Sequence, residues 1–445
     1  MFDATQMTIV VVVLLGLVLF GAHIAVALGI TAALGVYMML GDIQVVKSFI
    51  SNTAYEAIRD YIFAVIPLFM LMGEFLARCG AARDLFSLVN RMLRWLPGRL
   101  GVATVLANAL FAFVTGVSIA AAAAFSRIAY PEMKRFGYQR KFALATIASS
   151  ACLGMLIPPS VLMIVWGVLT EQSIGSLFLA GVVPGMVVVL AFSAYIIGTA
   201  ILRPAVVGED AAGVQAIADA GGDDDATILA ALFSTALVIA LIFGVLGGIW
   251  MGFFTPTEGA GVGAAAALVI AIIKGLRLKE IYEVVLTVGR TSAPLLLLLV
   301  MAQIYSRVLS MTGVTGAVQQ FFLDTGLPAL AILALMILIW FILGCIIDSI
   351  SIILLTVPVF APIAMALGYD PLAFAIIGII AIEAGLLTPP FGILVFTVKA
   401  ALPQERVPVG EIFRGAIPFW ICLLLTVVLI IFVPQTATWL PYLGR

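Results

Sequence analysis

Charge is what this 445-residue chain has least of: Asp, Glu, Lys and Arg make up 10% of it, against 64% hydrophobic residues. A soluble domain carries about 25% charged residues, so a water-exposed globule is excluded. The mean hydropathy of +1.25 agrees. His23 is the single histidine, which rules out a proton relay built on histidines. The four cysteines, Cys79, Cys152, Cys345 and Cys422, share no ligand spacing and sit in apolar context. They read as inert membrane thiols rather than a disulfide framework or a metal site. A phosphate-binding Gly-Lys-Ser/Thr loop, a nucleophile elbow and a metal-ligand cluster are all missing. The chain therefore does not bind ATP in that way, and soluble-enzyme chemistry has no residues to rest on. The net charge of −1 favours no class of partner, and no nucleic acid is expected.

What the chain has instead is a succession of apolar runs of roughly the 20 residues needed to cross a bilayer. They include Thr8–Leu40 (two helices with a turn near Gly21–His23), Tyr61–Leu76, Ile174–Leu202, Thr227–Phe254, Gly259–Ile273, Leu327–Ile347 and Pro418–Val433. The expected fold is an all-α polytopic membrane protein with about eleven spanning elements and two re-entrant hairpins. The first run has neither a basic n-region nor a small-residue cleavage site, so it reads as a retained helix.

Lys and Arg fall in four groups: Arg78–Arg99, Arg127–Lys141, Lys274–Lys279, and Lys399, Arg406 and Arg414. Placing all four on the cytoplasmic side, as the positive-inside rule directs, leaves both termini on the outer face. The polar insert Gly208–Asp225 then reads as a flexible cytoplasmic linker.

Two proline pairs interrupt the apolar runs, Pro158-Pro159 and Pro389-Pro390. Each removes two backbone donors and bars helical geometry before it. In hydrocarbon such a break survives only where protein or a water-filled cavity covers it, and paired breaks point to a transporter's binding site. The pairs lie 389 − 158 = 231 residues apart. At that offset Ser118 meets Ser349, Pro131 meets Pro362, Gly137 meets Gly368, Tyr138 meets Tyr369 and Gly154 meets Gly385. Segment Arg127–Lys141 carries five basic residues and its counterpart Pro358–Leu372 none. The copies thus enter the membrane from opposite sides, as two inverted structural repeats: residues 1–207 and 227–445, joined by the linker at 208–226. Each repeat is expected to hold a re-entrant helical hairpin and a Pro-Pro-broken helix. The first hairpin has short arms, Asn108–Thr115 and Ala120–Phe125, with its tip at Thr115-Gly116-Val117-Ser118. The second turns at Gly344, with Asp348-Ser349-Ile350-Ser351 at the tip. Such tips offer carbonyl oxygens to a cation and helix N-terminal amides to a carboxylate.

Several residues carry two readings. Asp348, in an apolar segment, is a sodium ligand or the structural partner of a distant arginine. Thr115, Ser118, Ser349 and Ser351 are ion ligands or small packing residues. Gly154 and Gly385 turn carbonyls inward or allow close packing. Glu383 lines the same cavity or is a hydrogen-bonded, protonated acid. Arg290 faces an anion or snorkels. Thr255-Pro256-Thr257-Glu258 reads as a helix start. Gly244, Gly247, Gly248, Gly259, Gly261 and Gly263 read as close helix contacts.

The chain resembles the large membrane subunit of tripartite ATP-independent periplasmic (TRAP) transporters, the DctM-like family. The resemblance covers nearly its whole length. It is carried by Ala180-Gly181-Val182-Val183-Pro184-Gly185, Leu156–Ser160, Thr255-Pro256-Thr257-Glu258, Gly344 through Asp348, Pro358-Val359-Phe360-Ala361-Pro362, and Leu387-Thr388-Pro389-Pro390-Phe391-Gly392. It implies an ion-transporter-superfamily-like elevator fold in the bacterial inner membrane. It also implies Na+ as coupling ion, a small four-helix membrane subunit, a periplasmic substrate-binding protein and an organic-acid substrate. Carried onto this chain, the sodium-site residues are Gly116, Ser118 and Gly154 in the first half and Asp348, Ser349, Gly385 and Thr388 in the second. Thr115 and Ser160 are implied substrate contacts. The first tip, Thr115-Gly116-Val117-Ser118, departs from the family's Gly-Ser-Ser-like sequence, so the resemblance leaves side-chain ligation there open while backbone carbonyls could still serve. A standalone sodium- or proton-coupled anion permease and an anion channel are the alternative readings.

Overall fold

A computed structural model describes residues 4–208, 225–405 and 407–443. The linker expected over 208–226 thus falls largely outside the described residues, as do Arg406 and both chain ends. The described residues form helices throughout, as lipid demands of a backbone that must satisfy its own polar groups. The first half runs α1 (Ala4–Leu19), α2 (Ile24–Leu40), α3 (Ile43–Arg59), α4 (Val65–Arg78), α5 (Ala81–Met92), α6 (Arg99–Thr115), α7 (Ser118–Arg135), α8 (Arg140–Ser150), α9 (Leu153–Leu156), α10 (Val161–Thr170) and α11 (Ile174–Leu202). The second runs α12 (Asp225–Trp250), α13 (Pro256–Ile273), α14 (Leu278–Thr312), α15 (Val314–Asp324), α16 (Ala329–Gly344), α17 (Ser349–Ala366), α18 (Pro371–Gly385), α19 (Ile393–Ala401), α20 (Val409–Phe432) and α21 (Gln435–Tyr442).

Among the described residues, 8 elements are long and apolar enough to cross a membrane, with five shorter apolar helices beside them. Eleven full spans were expected. The difference lies in apolar segments such as Ile24–Leu40 and Ala329–Gly344, which hold only 17 and 16 residues.

The caps follow the local sequence. His23 and Asp42 accept from backbone amides two residues on, starting α2 and α3. Thr255 and Glu258 form a reciprocal capping box on α13. Of the six glycines read as packing sites, Gly248, Gly259 and Gly263 meet Phe254, Ile249 and Met72, whereas Gly244, Gly247 and Gly261 face open space. Arg290 is exposed.

Adding 231 to the bounds of α7 gives 349 and 366, the bounds of α17. The same offset carries the start of α8 onto Pro371, where α18 begins. Packing is reciprocal as well: α7 lies on α19 and α17 on α10, while α8 lies on α20 and α18 on α11. The counterpart helices thus exchange partners between the halves.

The four basic groups share one face. Lys274 pairs with Asp84 and Arg78 with Glu283, which joins the first group to the third. Lys134 pairs with Glu405 at 2.5 Å and Arg140 with Glu411 at 3.1 Å, which joins the second to the fourth. The hydrogen bond from Lys134 holds the Glu405 carboxyl below its ordinary range. A depressed carboxylate adds stability that is present above its unfolded value, about 4.3, and is lost as pH falls through the folded one. The melting temperature of the wild type should therefore approach that of Glu405→Gln as pH drops below about 4. The gap should be small, because Lys134 is well exposed. A gap independent of pH would mean that the pair contributes nothing through charge.

Candidate functional site at the two helix breaks

The arms of the first hairpin are longer than the short ones expected: α6 has 17 residues and α7 has 18, about 26 Å each at 1.5 Å per residue. The arm expected to end at Phe125 runs on as α7 to Arg135, so that its last turn carries Lys134 and Arg135. In the second hairpin the arms are α16 and α17, of 16 and 18 residues.

Each tip sits on a break. Gly116 ends α6 in left-handed conformation, φ 60°. Its carbonyl accepts from the Val161 amide at 3.2 Å, just past Pro158-Pro159. A Cβ on Gly154 would come within 3.1 Å of the Ser118 backbone, so the break and the tip touch backbone to backbone. In the second half Phe391 N–H donates to the Cys345 carbonyl at 3.3 Å. A Cβ on Gly344 would lie 2.8 Å from the Gly385 Cα. Both Pro-Pro bonds are cis.

Glu383 joins the two halves. It is 1% exposed; its Oε2 accepts from Ser118 Oγ at 2.6 Å and its Oε1 from Ser349 Oγ at 3.0 Å. Those serines are counterparts at the 231 offset and begin α7 and α17. Cys152, the counterpart of Glu383 itself, directs its Sγ at the Glu383 carbonyl, 3.6 Å away. Positions 152 and 383, counterparts at the offset of 231, are in contact across the two halves. The polar centre of the molecule is thus where both hairpins begin their second arms. Glu383 was read only as a cavity-lining or protonated acid, because its partners stand 265 and 34 residues away.

The remaining predicted residues distribute around this centre. Asp348 is the N-cap of α17, accepting from Ser351 N at 3.1 Å and Ser351 Oγ at 2.5 Å; its residue is exposed in the isolated chain. Capping explains a carboxylate in an apolar segment without a distant arginine, and the Asp-x-x-Ser spacing carried that signal. Thr388 Oγ1 donates to the Ala384 carbonyl at 2.9 Å, within the break. Ser160 caps α10, accepting from Met163 N at 3.4 Å and donating to the Met155 carbonyl. Its hydroxyl spans the first break and is fully buried.

Thr115 lies on the wall of a cavity of about 400 Å³ between hairpin 1 and helices α4 and α14. Its lining includes Thr115 and Val117 of the tip together with Glu74, Arg78 and Arg127, the two arginines belonging to the basic groups. The two halves differ here. Ile119, Ala120 and Arg127 of α7 are exposed, whereas their counterparts Ile350, Ser351 and Pro358 of α17 are buried. The first break is wholly buried, while Pro389, Pro390 and Phe391 are exposed. An aromatic cluster unannounced by the sequence, Trp166, Trp340, Phe360 and Phe374, ties α10 to hairpin 2, with centroids 5.4–6.1 Å apart.

With that architecture in view, comparison with known proteins is decisive. The family described as tripartite ATP-independent periplasmic transporter, DctM component, matches residues 11–436. The chain belongs to this family. It is therefore a multi-pass component of a membrane transporter, not an enzyme. It is 33% identical over 419 residues to the C4-dicarboxylate TRAP transporter large permease protein DctM of Pseudomonas aeruginosa, covering 93% of each chain. It is 29% identical over 436 residues to the ectoine TRAP transporter large permease protein TeaC of Halomonas elongata, covering 97% of this chain and 98% of that one. Among solved structures, the YdaH transporter of Alcanivorax borkumensis shares the fold, with TM-score 0.63, 13% identity and 90% of each chain covered.

Proposed function

We propose that this chain is the large membrane subunit of a sodium-coupled importer of an organic acid. A periplasmic binding protein delivers the substrate and a small four-helix subunit braces the scaffold. The observation that carries the reading is the convergence of both hairpin tips on both helix breaks around Glu383, beside a cavity that opens toward the basic face. Two inverted repeats, one before and one after the linker, account for the offset of 231 and for the reciprocal packing. With the basic face cytoplasmic, this conformation is the inward-open one, and the buried face of α17 is the closed outer gate. An elevator exchange would swap the environments of the two hairpins.

The oxygens present fit a hard monovalent cation. Pro158 has no N–H, so the Gly154 carbonyl lacks the amide donor four residues on. Gly116 offers a carbonyl and Ser118 a hydroxyl at the same tip, the first also accepting from Val161 N–H and the second donating to Glu383. In the second half Asp348, Ser349, Gly385 and Thr388 would hold the ion. Bound there, sodium would supply the energy of its gradient. Thr115, on the cavity wall, and Ser160, buried at the first break, are the residues that would meet a substrate.

The test is uptake into proteoliposomes containing this chain and its small subunit. A requirement for both a sodium gradient and added binding protein supports the reading. Uptake without the binding protein would make the chain a permease, and downhill flux at channel rates would make it a channel. Asp348→Asn refines the assignment. Asn caps helices as well as Asp does, so insertion and folding should be unchanged while the sodium concentration for half-maximal uptake rises. An unchanged sodium dependence would remove the Asp348 carboxylate from the ion site.

A further inference from the structure

A second cavity, of about 460 Å³, lies on the basic face between α5 and hairpin 1 and meets the first at Arg127. It is lined by Arg83, Arg91, Arg94, Arg99, Arg127 and Arg135, with Glu132 as the one carboxylate among its lining residues. Among the described residues, Arg83, Arg91, Arg94, Arg127 and Arg135 have no carboxylate within 4.0 Å, unlike Arg78 and Arg140 nearby. Arg99 and Arg135 flank the Phe136 ring, 5.0 and 5.9 Å from its centroid. So many like charges around one hollow repel one another, and an anion between them relieves that repulsion. Guanidinium forks match phosphate oxygens in pairs.

The surroundings say where the phosphate comes from. Helix α5 buries Ala81, Ala82, Leu85, Phe86 and Val89 and turns Arg83, Ser87 and Arg91 to the cavity. The apolar face is covered by α6 and α12, which leaves the cations on the outer side of the helix. Met92, which ends the helix, and Trp95 just beyond it are 67% and 78% exposed, and a tryptophan at headgroup depth is a membrane anchor.

We propose that this cavity binds a phosphate-bearing anion, supplied by the headgroup of an anionic phospholipid of the adjacent leaflet. The site has two walls, Arg83, Arg91 and Arg94 on and after α5, and Arg99, Arg127 and Arg135 on hairpin 1. A bound headgroup would tether the hairpin to α5, which packs on α12. The proposal is independent of the substrate and of the coupling ion, because its readout is lipid binding.

Purified full-length protein in neutral detergent would be melted with added phosphatidylglycerol, phosphatidylcholine or millimolar inorganic phosphate. Phosphatidylglycerol should raise the melting temperature by several degrees and phosphatidylcholine should not. The triple variant Arg83→Gln, Arg91→Gln, Arg94→Gln should bind phosphatidylglycerol on the order of a hundredfold more weakly. An equal shift with inorganic phosphate would support the anion site while moving its source to the aqueous phase. Equal effects of the two lipids on the wild type, or an undiminished phosphatidylglycerol shift in the variant, would overturn the proposal. If the triple variant does not fold, native mass spectrometry of the wild type decides. Retention of phosphatidylglycerol over phosphatidylcholine supports the site, and indifference overturns it.

Discussion

Glu383→Ala is expected to lower the initial rate of uptake at least about tenfold and to destabilise the protein by about 3–5 kcal/mol. Two buried serine hydroxyls lose their acceptor at once, each at a cost of about 1–3 kcal/mol, and the side chain leaves a void at the centre of the molecule. The functional loss should exceed what instability alone produces, because Ser118 and Ser349 begin the second arms of opposite hairpins. Without the carboxylate, those two starts lose the acceptor they share. Glu383→Gln is the informative companion. An amide offers one acceptor and one donor, and a serine hydroxyl can take either role, so both contacts survive with one serine reversed. The Gln variant should therefore fall between wild type and Ala in both uptake and melting temperature. Wild-type uptake by Glu383→Ala would show that the carboxylate does not hold the tips together.

How much of this centre was legible follows from the range of each interaction. The breaks were readable because proline acts on its own backbone, and the offset of 231 because it compares the chain with itself. The bounds of α7 and α17 fall on that offset to the residue. The arms of hairpin 1 were underestimated because Arg127, Lys134 and Arg135 look like a loop, whereas cations are at home in the last turn of a helix. Asp348 drew attention as a charge, although the serine three residues on marks it equally as a cap. Glu383 carried no local sign of its role. Its meaning comes from two serines that only the tertiary fold brings within 3.0 Å. The unequal exposure of the two breaks has no sequence signature either, since it belongs to one conformation and not to the chain.

Gly116→Ala is the second change expected to have a large effect, and it separates two causes that glycine usually confounds. Gly116 has φ 60°, which costs an alanine about 1–2 kcal/mol. Its Cβ would also lie 2.6 Å from the Pro159 carbonyl oxygen, a backbone atom that cannot move without shifting the break, and such overpacking costs about 1–3 kcal/mol more. Gly41 is the natural control: its φ is 69°, and a Cβ there meets nothing within 4 Å. Gly41→Ala should lower the melting temperature slightly and leave uptake near wild type, since it bears only the conformational cost. Gly116→Ala should melt lower still and lose most of its uptake, because the tip can no longer seat on the break and present its carbonyl to Val161. The difference between the two variants, in the same proteoliposomes at the same pH and salt, measures the seating alone. If both transport equally well, the close approach of tip to break is only packing, and the transport cycle does not depend on it.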